Sequence, residues 1–237
     1  MKTIFYITGT SRGIGKSMAE LALNQTNSYV VGFSRTQSIN HKNYTHISVD
    51  LSDPESLLSF QMPTNKEASK AVLINNSGML GQVKPLGTQT SDSIFKTHTL
   101  NTIAPTIITN QFIKAYSNTE VEKVIVNISS GAARHAVESW ANYCSSKAAL
   151  DMLSQVVNLE QKENNLRIFS IAPGVVDTKM QDEIRTVSPE DFPHLNKFIN
   201  YKAEGQLVKS DNVAKLIYEI IKNPDDYRDV ILDLREL

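Results

Sequence analysis

Residues 141–150 read ANYCSSKAAL, and within them Tyr143 and Lys147 stand four positions apart among mostly small side chains. On a helix that interval places both on one face. An ammonium beside a phenol favours the phenolate, so the pair is expected to lower the phenol pKa from its ordinary value of about 10 and make Tyr143 a proton donor near neutral pH. The interval alone is a weak signal. The tyrosines and lysines of a 237-residue chain with 8 tyrosines produce it about 0.6 times by chance, and Tyr218 with Lys222 repeats it. The surroundings separate the two pairs: 13 positions before Tyr143 stands Ser130, closing the run VIVNISS, whereas Gly205 holds that position before Tyr218. A serine hydroxyl at such a place can stabilise negative charge growing on a substrate oxygen while the phenol protonates it. Asn101, in HTLNTIAP, could interrupt its helix and pass protons to Lys147 through water, or be an ordinary helix asparagine.

These side chains need a frame. Short runs rich in β-branched residues recur at 3–8, 29–33, 46–49, 71–75, 123–129, 166–172 and 229–234. Continuous apolar runs of this kind indicate strands covered on both faces. The stretches between them read as helices, most clearly 13–25, 91–117, 142–163 and 210–222. Strands alternating with helices imply right-handed crossovers and a parallel, doubly wound α/β sheet. In such a sheet the carboxyl ends of the strands form the ligand crevice, which is where Ser130 arrives. A length of 237 residues with 41% hydrophobic side chains suits one domain, 1–237. The stretch 178–209 has prolines and weak periodicity, and reads either as a mobile segment covering the substrate or as an ordinary surface connection.

The first strand runs straight into TGTSRGIG, which sets Gly9, Ser11, Arg12, Gly13, Ile14 and Gly15 at a strand-to-helix turn. Glycine permits positive φ and close approach of the backbone to a ligand, and the following helix offers free N–H groups to a phosphate. The same glycines would also serve a purely structural turn. The second strand ends in GFSRT, without the carboxylate that would hold the ribose hydroxyls of NAD. Arg35, Arg12 and the Ser34 hydroxyl could instead bind a 2′-phosphate, so the cofactor expected is NADP(H), unless the arginines are solvated surface charges. Asp50 and Leu51 fall where an adenine ring could lie, and Asn76, Ser77 and Gly78 of NNSG fall beside the cleft, where Asn75, Asn76 and Gly78 may equally be holding the turn together. With hydride delivered to a carbonyl carbon, Tyr143 would supply the proton and Ser130 would stabilise the oxyanion. Lys147 could also bond the nicotinamide ribose.

TGTSRGIG, NNSG, Asn101, Ser130, Tyr143-x-x-x-Lys147 and PGVVDT at 173–178 stand in the order and spacing of the short-chain dehydrogenase/reductase family, which the whole chain resembles. The resemblance implies a single-domain Rossmann fold with a seven-stranded parallel sheet of order 3-2-1-4-5-6-7. It implies the catalytic roles given above, and contacts to the nicotinamide amide from Pro173, Gly174, Val176 and Thr178. Ser77 is a small departure, since many members have alanine there. Within the family the chain most resembles the sepiapterin reductase and benzil reductase group, NADPH-dependent reducers of vicinal dicarbonyls. By that resemblance Asp233, in ILDLREL, falls near the place of a carboxylate that anchors the substrate. The alternative is an exposed or salt-bridged strand-end aspartate. Trp140 lines the substrate pocket or packs beside Tyr143. The resemblance also implies a homodimer or homotetramer built through 91–117 and 142–163.

The 24 basic and 25 acidic side chains balance, so nothing global attracts nucleic acid or an anionic membrane. The lone Cys144 cannot form an internal disulfide and reads as packing. The apolar run at 4–7 is too short for a leader or a span, and a cytoplasmic location is expected. The five histidines show no metal-ligand spacing, and no metal is expected. The leading function is an NADPH-dependent reductase of a small dicarbonyl or activated ketone. The others are an NAD(P)-dependent alcohol dehydrogenase and a non-catalytic NADPH sensor.

Overall fold

A computed structural model describes residues 2–162 and 164–237. Seven strands, β1 (Thr3–Thr8), β2 (Ser28–Ser34), β3 (Tyr44–Ser48), β4 (Lys70–Asn75), β5 (Glu122–Ile128), β6 (Leu166–Ala172) and β7 (Ile231–Asp233), pair in parallel in the order β3-β2-β1-β4-β5-β6-β7. Helices α1 (Gly13–Leu23), α2 (Pro54–Ser59), α3 (Ser91–His98), α4 (Ala104–Ala115), α5 (Ala141–Glu160), α6 (Lys179–Arg185), α7 (Leu195–Ala203) and α8 (Ser210–Lys222) fill the connections. The fold and strand order implied by the sequence are those observed.

Alternation along the strands builds two cores. Phe5, Ile7, Val72, Ile74, Val124 and Val126 meet Met18 and Ala22 of α1 and Ile217 of α8 on one face. Their neighbours Ile4, Tyr6, Leu73 and Ile125 meet Ile108 and Phe112 of α4 and Val157 of α5 on the other. Successive side chains of a strand point to opposite faces, so a strand buried on both must be apolar throughout. Each such side chain contributes about 2 kcal/mol.

Several elements differ from the sequence reading. The strand expected at 229–234 is only Ile231–Asp233, and the one expected at 46–49 begins earlier, at Tyr44. These are the two edges of the sheet, paired on one side only. The helix expected over 91–117 is two helices joined by a π-helical turn, Thr99–Ile103. Pro105 lacks the N–H that would bond the Asn101 carbonyl in an α-helix; the turn widens, and the Ala104 N–H reaches back to the Thr99 carbonyl. The stretch 178–209 holds two helices rather than irregular chain, tied down where Phe192 stacks on Trp140 with ring centroids 5.5 Å apart. Helix α2 was unforeseen, although Asp53 caps it by accepting from Ser56 N at 2.8 Å and Pro54 starts it. Residue 163, the expected end of the helix at 142–163, lies outside the described residues; α5 ends at Glu160. Among the described residues no helix is long and apolar enough to cross a membrane, and no three His, Cys, Asp or Glu side chains gather as metal ligands.

Candidate active site

The carboxyl ends of the strands open into one cleft of about 1180 Å³. The glycine turn forms one wall. Gly9 has φ +75°, a region that side-chain-bearing residues rarely enter, and a Cβ there would come within 2.8 Å of Asn76 Nδ2. At Gly15 a Cβ would overlap Asn76 and the Gly9 carbonyl. The NNSG segment is thus a brace: Asn76 Nδ2 donates to the Thr8 carbonyl at 2.9 Å, and the backbone N–H groups of Asn76 and Ser77 both donate to Thr8 Oγ1 at 2.9 Å. Deeper down, Asn75 bonds Asn127 and Thr109 inside the sheet layer.

Gly9, Ser11, Arg12, Gly13, Ile14, Ser34, Arg35, Asp50, Leu51, Asn76, Ser77 and Gly78 all line this half of the cleft. Arg12 is exposed at the start of α1. Arg35 is 68% exposed, with Nη1 3.6 Å from Asp50 Oδ2. Asp50 is partly buried, which raises its pKa, but bonds from Ser52 and the Arg35 charge outweigh this and leave it below the ordinary value. The Ser34 side chain is buried, and its hydroxyl donates to the Thr36 carbonyl at 2.9 Å. Arg12 and Arg35 are the cationic donors at that rim. Across the cleft, Pro173, Gly174, Val176 and Thr178 form the facing wall. They are pinned where Asp177 N donates to the Val208 carbonyl and Val208 N to the Val175 carbonyl, each at 2.9 Å.

Between the walls lie Ser130, Tyr143 and Lys147. Ser130 follows β5 and its Oγ accepts from Ala132 N at 3.2 Å. Lys147 Nζ donates to the Ile128 carbonyl at 2.7 Å, tying α5 to the end of β5, and stands 5.8 Å from the centre of the Tyr143 ring. Asn101 is fully buried in the π-helical turn. Its Oδ1 accepts from Met79 N at 2.9 Å, and its Nδ2 donates to the Met79 carbonyl and to Ser146 Oγ. A Cβ on Gly78 would sit 3.4 Å from Asn101 Oδ1 and 3.5 Å from Lys147 Nζ, so the three converge on one spot.

The electrostatics depart from the sequence reading. Burial pushes the Tyr143 phenol above its ordinary pKa, and the Ser130 hydroxyl only partly offsets this. Burial also lowers Lys147 to about 8, against the opposing pull of Asp151. The expected lowering of the phenol by its lysine is therefore reversed: removing both groups from water favours their neutral forms.

Asp151 was not foreseen from the sequence. Asp151, one helical turn beyond Lys147, is buried and accepts at Oδ1 from Ser129 Oγ at 2.5 Å and Ser170 Oγ at 2.6 Å, bracing α5 against β6 and the end of β5. A carboxylate among apolar neighbours in ALDML was the available signal. Trp140 lines the cleft and also packs edge-on against Tyr143, with centroids 5.6 Å apart. Asp233 does not line the cleft; Arg235 engages its carboxylate at 2.5 Å and 2.8 Å. The salt-bridged alternative applies. Cys144 is half-buried in the apolar cluster beside Trp140.

Residues 3–188 match the family model for short chain dehydrogenases. The benzil reductase ((S)-benzoin forming) of Bacillus cereus is 35% identical over 234 residues, covering 92% of this chain and 94% of its own. The sepiapterin reductase of Xenopus tropicalis is 30% identical, covering 91% and 90%. Among solved structures, a short chain dehydrogenase/reductase of Saccharomyces cerevisiae superposes with a TM-score of 0.82 at 24% identity, covering 98% of this chain and 96% of its own.

Proposed function

Because the chain belongs to the short-chain dehydrogenase family, whose members are oxidoreductases using a nicotinamide cofactor, we propose that it reduces a small 1,2-dicarbonyl or similarly activated ketone with NADPH. The observation that carries this reading is that Ser130, Tyr143 and Lys147 line the same cleft as the glycine turn. The names of the benzil and sepiapterin reductases similar to it support the dicarbonyl class.

The residues present fit the cofactor: the Gly9 and Gly15 positions admit no side chain, and the start of α1 offers unpaired N–H groups to phosphates. Arg12 and Arg35 would hold the 2′-phosphate, Asp50 and Leu51 would flank the adenine, and Pro173, Gly174, Val176 and Thr178 would receive the nicotinamide amide. When bound, NADPH supplies the hydride. Tyr143, kept protonated through neutral pH by its burial, gives its proton to the oxygen on which charge grows. The Ser130 hydroxyl donates to that oxygen, and the Lys147 ammonium eases formation of the phenolate. Asn101 orders the proton path behind Lys147, and the segment 178–209 covers the substrate. Exposed Met152, Val156 and Leu159 on α5 support pairing with a second copy.

The test is NADPH oxidation with aromatic and aliphatic 1,2-diketones and with sepiapterin, alongside direct cofactor binding, for the native chain and Tyr143→Phe. Turnover that vanishes in the variant while NADPH binding persists is expected. Failure of the native chain to bind NADPH, or tighter binding of NADH, would sink the cofactor assignment.

A further inference from the structure

The place where a substrate-anchoring carboxylate was expected holds an arginine instead. Asp233 is buried, its Oδ1 accepting from Arg235 N at 3.1 Å and Nε at 2.8 Å and its Oδ2 from Nη2 at 2.5 Å. Arg235 lines the cleft and keeps 59% of its side chain exposed. It passes close beside the backbone of two glycines. A Cβ on Gly174 would lie 3.3 Å from its Cγ, and one on Gly131 would lie 3.7 Å from its Nη2. Gly131 adjoins Ser130, so the guanidinium stands one residue from the hydroxyl that faces the reacting oxygen. Of the five N–H bonds of a guanidinium, Asp233 takes two, and among the described residues no other group accepts from it.

We propose that Arg235 is the specificity-determining group of the cleft, donating to the second oxygen of a 1,2-dicarbonyl while the first carbonyl takes hydride at carbon from NADPH and a proton at oxygen from Tyr143. This rests on the carbonyl reductase reading above. Asp233 fixes the fork in one orientation, which lowers the entropy lost when a substrate is bound. It also compensates the charge. A neutral oxygen can take the remaining N–H bonds, whereas the carboxylate of an α-keto acid would meet Asp233 behind them. Val137, Trp140, Met180 and Phe198 also line the cleft, form one apolar cluster with Tyr143, and suit an apolar substituent on the diketone.

The experiment compares kcat/KM for phenylpropanedione and for trifluoroacetophenone, an activated ketone with no second carbonyl, in the native chain, Arg235→Gln and Arg235→Lys. The diketone-to-monoketone ratio should fall about tenfold or more in Arg235→Gln, mainly through KM, as expected for loss of a charge-assisted hydrogen bond. Arg235→Lys should restore part of it. A proportional loss on both ketones, the signature of a purely structural role, overturns the proposal, as does an unchanged ratio. Asp233→Asn, which leaves the guanidinium charge uncompensated, should raise activity on phenylglyoxylate relative to phenylpropanedione; no rise overturns the charge argument. If the native chain binds NADPH yet reduces neither ketone, the carbonyl reductase reading itself fails, and the proposal with it.

Discussion

Helices α5 and α8 each carry a tyrosine followed four residues later by a lysine, and the two pairs have different surroundings. Tyr143 opens α5 at the carboxyl ends of the strands, in the wall of the cleft. Tyr218 lies midway along α8, its ring stacked 6.2 Å from Phe5 in the body of β1. Burial raises both phenols above their ordinary pKa, so the phenol alone does not distinguish them. The lysines do. Lys147 is 4% exposed and bonded to the Ile128 carbonyl, whereas Lys222 is exposed. The same interval is chemistry where the helix delivers it to the ligand crevice and packing where it does not.

Substitution should widen that contrast. Tyr143→Phe removes the proton donor and is expected to cut kcat about 10²–10⁴-fold, the contribution of a positioned general acid; Tyr218→Phe should stay within about twofold. Steady-state rates of the two variants, with NADPH binding measured for both, check this, and comparable losses would erase the distinction between the helices. Lys147→Gln should cost about 100-fold and weaken NADPH binding, while Lys222→Gln changes neither.

How much of this was legible depends on which force decides each feature. The parallel sheet, the glycine turn and the positions of Ser130, Tyr143 and Lys147 could be read because motif spacing and two-faced burial leave a periodic or ordered trace; the strand order came only with the family resemblance. The trace is weakest at the edges, where β7 is held by β6 alone and came out shorter than its apolar run. The phenol's pKa was misjudged because spacing gives proximity but not depth, and depth decides which protonation state wins. Asp151 and Arg235 escaped for a related reason. Their partners Ser129, Ser170, Gly131 and Gly174 lie 19 to 104 positions away or are simply small, and no local pattern announces such a contact.

Lys147 also sets a pH dependence that α8 has no means to impose. With its pKa lowered to about 8, the ammonium is present below that value and lost above it. Reduction should therefore hold level through neutrality and fall as pH rises past about 8. Asp151 raises the Lys147 pKa, so Asp151→Asn should move the falling limb to lower pH, at a cost in stability of about 2 kcal/mol from its bonds to Ser129 and Ser170. A kcat/KM profile from pH 6 to 10 for both proteins tests the sign; a shift to higher pH would show that Asp151 does not act through the lysine's charge.

The smallest effect expected on turnover belongs to the decoy tyrosine, and it completes the comparison from the other side. Tyr218 is half-buried against Phe5 and belongs to the core on the α1 and α8 face of the sheet. Tyr218→Ala removes that ring and should cost about 1.5 kcal/mol, less than a fully buried aromatic because much of its surface is already in water. In a domain of this size that is a fall in Tm of about 5 °C, with kcat and KM for NADPH within about twofold of native. Thermal melting and rates measured on one preparation separate the two contributions. A stability loss with intact kinetics assigns Tyr218 to packing; a kinetic loss with intact Tm would mean that α8 reaches the site through α1, whose first turn forms the cofactor wall.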